Sequence, residues 1–165
     1  MRSVEEQRSF EEYVAARMPA LTRTAYLLTG NHHDAEDLVQ RSLVKAVGRW
    51  SRIADHPEPY VRRILYHESV SAWRRRPRGE RLVEGPPEAA GVPDDPSLRV
   101  ALRDALARLT PKQRTVLVLR FYEDLTEVQT AQALGVGVGT VKSQTRHALK
   151  RLKELAPGLE ELVTT

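Results

Sequence analysis

The chain has 165 residues, 41% of them hydrophobic and 29% charged, with a formal net charge of +4 and no cysteine. That length makes one domain or two small ones, and with 5% aromatics any core is built mainly from Leu, Val and Ala, the palette of helices. Disulfides, thiolate zinc sites and cysteine nucleophiles are excluded, and no apolar run approaches the roughly 20 residues of a membrane span.

Phe10, Val14, Met18, Leu21, Ala25 and Leu28 recur at spacings of three and four, which predicts a helix interrupted by Pro19 and stopped near Gly30. Glu5, Glu6, Glu11 and Glu12 stand where a signal peptide has a basic end and an apolar middle, so the expected location is the cytoplasm, without membrane insertion. A second helix is expected after Asn31. Its acids Asp34, Glu36 and Asp37 sit in the first turns, where the macrodipole favours them, and Leu38, Leu43, Val47 and Trp50 form its apolar stripe. Pro57 or Pro59 opens a third helix near Tyr60, with Val61, Ile64, Leu65 and Ala72 inward, and Pro77 closes it. From Tyr60 to Arg81 there are seven Arg against Glu68 and Glu80.

Glu84 to Pro96 holds four acids, four Pro, two Gly and no basic residue. Its prolines remove donors and it has almost nothing to bury, so it reads as a linker, taken over residues 79–97. The expected organisation is all-α: a helical domain over residues 10–78 and a second over 98–156.

Thr110-Pro111-Lys112-Gln113 combines an N-cap, a Pro at the first helical position and a capping-box Gln, opening a helix that buries Val116, Leu117, Leu119 and Phe121. Thr126 to Gln129 repeats the capping box, and that helix ends at Leu134-Gly135. After a short turn a last helix runs from about Gly139, with Val141, Thr145, Ala148, Leu149 and Leu152 at core spacing. A short helix, a Gly-containing turn and a basic second helix make a helix-turn-helix. Thr140, Lys142, Ser143, Arg146, His147 and Lys150 form its exposed face, with donors for phosphates and base edges. From Val128 to Lys153, 26 residues, there is no Asp or Glu. A solvated helix in an ordinary bundle accounts for a charge run, but not for acid depletion that coincides with the caps and the turn.

The segment from Leu109 to Leu152, with Leu134-Gly135 and Gly139-Thr140-Val141-Lys142-Ser143, resembles the promoter-binding C-terminal domain of bacterial sigma factors. LuxR-type regulators share part of that pattern. The N-terminal piece separates the two: Ala25 to Gly30 followed by Asp34 to Gln40 resembles the core-polymerase-binding helix of sigma factors, and Tyr60 to Ile64 through Trp73 to Arg76 their promoter-melting helix. Match and order cover about 145 residues, and two domains with a linker are the pattern of the extracytoplasmic-function type of the sigma-70 superfamily. Three positions depart from the usual pattern: Gly137 for a capping Ser, Gln129 for Glu, and His67 for the Asn frequent in the melting helix.

The resemblance implies a transcription initiation factor that binds core RNA polymerase and promoter DNA, is not an enzyme and has no cofactor; an anti-sigma protein is a further partner in many relatives. Asp34, Asp37 and Gln40 would present an acceptor face to the polymerase. Arg62, Arg63, Arg74, Arg75 and Arg76 would track phosphates, while Tyr66, His67 and Trp73 offer flat groups for an unpaired base, although Trp73 reads equally as core. The alternatives are a stand-alone, LuxR-like DNA-binding regulator and, from His32-His33-Asp34, a metal-dependent hydrolase. The second lacks further ligands: His56 and His67 lie on segments already explained, and the expectation is no metal.

Overall fold

A computed structural model describes residues 2–75 and 95–158, and the described residues are helical, without strands. The first group of helices is α1 (Val4–Thr29), α2 (His32–Val47), α3 (Trp50–Ile53) and α4 (Pro57–Arg75). The second is α5 (Pro96–Arg108), α6 (Pro111–Leu117), which runs on as a π-helical turn over Val118–Tyr122, α7 (Glu127–Leu134) and α8 (Val138–Leu155). The expected all-α fold class is present. Residues 79–94 of the expected linker, with Pro77 and Arg76, lie outside the described residues.

Local chemistry accounts for most boundaries. Ser3 caps α1, its hydroxyl accepting from the Glu6 amide while the Glu6 carboxylate accepts from the Ser3 amide, and Gly30 ends the helix in the left-handed region at φ 90°. Asn31 accepts from the Asp34 amide at 2.8 Å and opens α2. Thr110 with Gln113 and Thr126 with Gln129 form the two capping boxes read from the sequence. Gly137 stands at the N-cap of α8 with no side-chain hydrogen bond, as its lack of a hydroxyl dictates.

Four expectations change. Helix α1 passes through Pro19 without interruption, because the stripe on either side is buried against one surface. Trp50 does not extend α2: it begins α3, fully buried, with its indole N–H donating to Ser9 Oγ at 3.2 Å and Phe10 packed edge-on at 5.1 Å. Helix α5, not singled out in the sequence, starts inside the expected linker, where Asp95 accepts from the Ser97 amide at 2.8 Å and Pro96 takes the first helical position. Phe121 is half-buried rather than buried, since it lies on the π-helical turn.

The first group wraps Leu21, Ala25, Leu28, Leu38, Val39, Trp50, Val61 and Leu65; the second buries Leu106, Leu117, Leu119, Ala148 and Leu152. Each fully buried Leu or Val contributes about 1.5–3 kcal/mol. The groups also pack on each other, α1 and α4 against α5, α6 and α7, so their buried apolar residues form one continuous cluster. Arg114 pins that seam. It is 1% exposed, and its guanidinium donates to the carbonyls of Leu106 (2.8 Å), Leu109 (3.0 Å) and Leu28 (3.0 Å), satisfying the ends of α5 and α1 together.

Candidate nucleic-acid interface

The turn between α7 and α8 is set by Gly135 at φ 70°, whose amide donates to Ala131 as the helix closes. It lets α8 leave with Val141, Ala148 and Leu152 buried beneath it. The opposite face is what the sequence reading expects: Thr140, Lys142, Arg146, His147 and Lys150 are exposed, and Ser143 is half-buried at the edge. Lys142, Arg146 and Lys150 fall four residues apart, one above the next along the helix. One carboxylate does reach this face. Glu127, in the first turn of α7, lies 3.9 Å from Lys142 Nζ, an acid just outside the acid-free stretch.

Helix α4 divides the residues grouped on it by sequence. Arg63 and His67 are exposed, four residues apart, and both burial and the Arg63 charge push the His67 imidazole below its usual pKa. The shift favours the neutral imidazole, which donates from one ring nitrogen and accepts on the other. Arg62 and Tyr66 point the other way. Tyr66 is 0% exposed, so the expected base-stacking role for its ring has no accessible surface here; burial, with nearby carboxylates, pushes its hydroxyl up to about 12. The correction has a plain cause: Tyr66 stands one helical turn after Arg62, on the side of α4 that turns toward the second helical group. Arg62 is largely covered, its Nε donating to Glu58 at 2.9 Å and its Nη1 paired with Glu123. Trp73, Arg74 and Arg75 belong to the last turn of α4, but their side chains, like Arg76, lie outside the described residues.

On α2, Asp37 and Gln40 are exposed on adjacent turns. Asp34 is half-buried and accepts from Asn31 Nδ2 at 2.8 Å, so it braces the cap as well as bordering that face. Val44, 71% exposed, stands seven residues after Asp37 and extends the face by a turn. Sequence reading passed over it because an apolar residue in an amphipathic helix is first counted as core.

The His32 ring packs on Tyr26 at 4.6 Å between centroids, and among the described residues no three His, Asp or Glu side chains are grouped to hold an ion.

The sequence matches the family description "Sigma-70 region 2" over residues 13–79, covering α4 and most of the helices before it, and "Sigma-70, region 4" over residues 105–154, covering the helix-turn-helix. It is 43% identical to the RNA polymerase sigma-E factor of Streptomyces avermitilis over 150 residues, 88% of this chain and 83% of the relative. The chain belongs to the sigma-70 family. Within it the chain is an extracytoplasmic-function sigma factor, 32% identical over 154 residues to the ECF RNA polymerase sigma factor SigL of Mycobacterium tuberculosis, with 87% and 84% of the two chains covered. The sigma factor RpoE of Bartonella quintana, solved in complex with the anti-sigma factor NepR, is similar in structure: TM-score 0.68 at 28% identity, over 88% of this chain and 95% of that one. A sigma factor is a transcription initiation factor, and the region 2 match does not favour a stand-alone regulator. Among the described residues no helix of this sigma factor is long and apolar enough to cross a membrane.

Proposed function

We propose that three surfaces of this sigma factor divide the work of initiation. The exposed face of α8 reads the upstream promoter element through Thr140, Lys142, Ser143, Arg146, His147 and Lys150. The face of α2 bearing Asp37, Gln40 and Val44, bordered by Asp34, docks on core RNA polymerase. The outward side of α4 handles the opened downstream strand through Arg63 and His67, and the resemblance adds Trp73, Arg74, Arg75 and Arg76 to that work. In this division the two helical groups, residues 10–78 and 95–156, act as separate domains on the promoter, with the residues between them as the tether. The protein works in the cytoplasm as a binding factor rather than an enzyme. An anti-sigma protein is its expected inhibitor, a partner class carried over from the RpoE–NepR complex.

The observation that carries most of this is the α8 face. Its outward basic residues lie on the second helix of a helix-turn-helix, where the motif meets the major groove, over a core that needs none of them. Replacing Asp37 and Gln40 with Ala tests the polymerase surface. Exposed substitutions shift stability by under about 0.5 kcal/mol, so thermal stability stays near the unmutated value while affinity for core polymerase falls. Unchanged affinity moves the docking surface elsewhere.

A further inference from the structure

Arg62 lies in the arginine-rich helix α4, yet its guanidinium faces the second helical group and is 20% exposed. Its partner across the seam is Glu123, 10% exposed, whose other carboxylate oxygen accepts from the hydroxyl of Thr24, itself 2% exposed. Thr24 is on α1 and Arg62 on α4, so a single carboxylate of the second group ties two helices of the first. Behind it the Glu58 carboxylate holds Arg62 Nε at 2.9 Å, Arg17 Nη2 at 2.8 Å and the Tyr13 hydroxyl at 2.6 Å. Arg62 also reaches the Tyr66 hydroxyl at 3.4 Å.

The backbone is shaped to deliver Glu123. It follows directly on the π-helical turn Val118–Tyr122, a rare insertion that rotates whatever comes next. Asp124, immediately after it, is at φ 57°, the one non-glycine among the described residues with a positive φ. Beside the pair a cavity of about 490 Å³ opens between α4 and the helix-turn-helix, lined by Tyr60, Arg63, Tyr66, Leu125 and Ala133 among others. The seam is thus incompletely packed where the charges meet. An ion pair there is only partly screened, but each charge has lost water to form it.

We propose that Glu123 is an intramolecular latch: in the free chain its carboxylate occupies the Arg62 guanidinium and the Thr24 hydroxyl, holding the two helical groups closed on each other. Release of Glu123 opens the seam and returns Arg62 to the surface. The consequence for DNA rests on α4 being a nucleic-acid face: a backbone phosphate is then the competing anion, and it replaces the carboxylate on Arg62 as the chain opens. The closed state hides Arg62, on the side of α4 away from Arg63 and His67, until the groups separate.

The chain contains no Cys, so one introduced pair labels it uniquely. Donor and acceptor dyes on Cys at Glu12 and Glu154, exposed on α1 and α8, report the separation of the groups in the full chain by single-molecule energy transfer. The unmutated chain shows one high-transfer population. Glu123→Gln, which keeps the shape and removes the charge, raises the low-transfer fraction above that of the unmutated chain with helicity unchanged. A single-stranded deoxyoligonucleotide, the probe for the phosphate arm, lowers transfer in the unmutated chain and binds Glu123→Gln several-fold tighter, both effects weakening as salt rises. Transfer in a folded Glu123→Gln chain equal to that of the unmutated chain overturns the latch. If that variant loses helicity, the oligonucleotide titration of the unmutated chain decides, and unchanged transfer at saturation overturns it. Opening in Glu123→Gln with no gain in oligonucleotide affinity upholds the latch and removes Arg62 from the DNA surface.

Discussion

Arg114→Met should be among the most destabilising single substitutions in this protein, although Arg114 touches no partner surface. The guanidinium is 1% exposed and donates to three carbonyls, at Leu106, Leu109 and Leu28, two of them ending α5 and one in the last turn of α1. Hydrogen bonds to a charged group contribute about 1.5–3 kcal/mol each, and carbonyls left buried without a donor cost about 1–3 kcal/mol each. Against this, Met no longer bears the desolvation of a buried charge, worth several kcal/mol. The net expected loss is about 3–5 kcal/mol, a large share of the 5–15 kcal/mol typical of a folded domain. In urea unfolding followed by helical circular dichroism, a loss of about 4 kcal/mol lowers the midpoint by roughly 2 M at a slope near 2 kcal/mol per M. Arg114→Lys keeps the charge without the planar fork that reaches three acceptors, so it falls between. A loss under about 1 kcal/mol for Arg114→Met at native helicity would mean that these carbonyls find other donors, and that Arg114 does not pin the seam.

Arg146→Ala should leave the melting temperature unchanged and cost on the order of 1–3 kcal/mol in promoter binding by the holoenzyme if it reads a base edge; an even loss across sequences, with the salt slope reduced by about one, assigns it to phosphate instead. Normal initiation by that variant at its own promoters removes α8 as the reading helix. His67→Ala should leave closed-complex formation nearly intact, reduce permanganate-reactive open complex, and regain activity on a template with a pre-melted bubble; equal opening by the two proteins excludes His67 from strand separation. The Glu58 carboxyl is raised by burial but brought below its usual range by hydrogen bonds from Arg17, Tyr13 and Arg62. A lowered carboxyl pKa gives stability that is full above the unfolded value of 4.5 and is lost as pH falls through the folded value. Glu58→Gln should therefore flatten the acid limb of the stability profile and lower stability at pH 7; an unaltered acid limb contradicts this.

What the sequence revealed is what local chemistry fixes. Thr110 with Gln113, Thr126 with Gln129, Asn31 before Asp34, and Gly30 and Gly135 each act within a few residues, and each stands where the pattern placed it. The α8 face was legible for a related reason: its buried and exposed positions follow one helical period. Helix α5 was missed because Pro96 was counted with the prolines before it, when Asp95 and Pro96 together are a start signal. The pairing of Arg62 with Glu123 joins residues 61 apart, and no spacing rule reaches that far. A run of arginines on one helix therefore looked like a single face until the packing of Val61, Leu65 and Tyr66 turned Arg62 inward.

The most direct test of the central claim is in vitro transcription with purified core RNA polymerase on a library of bacterial genomic fragments, with and without this protein, followed by mapping of start sites. The predicted result is a discrete set of starts that appears only with the protein, shares an upstream and a downstream element, and disappears in the Asp37→Ala/Gln40→Ala variant. Start sites identical with and without the protein would contradict its assignment as an initiation factor.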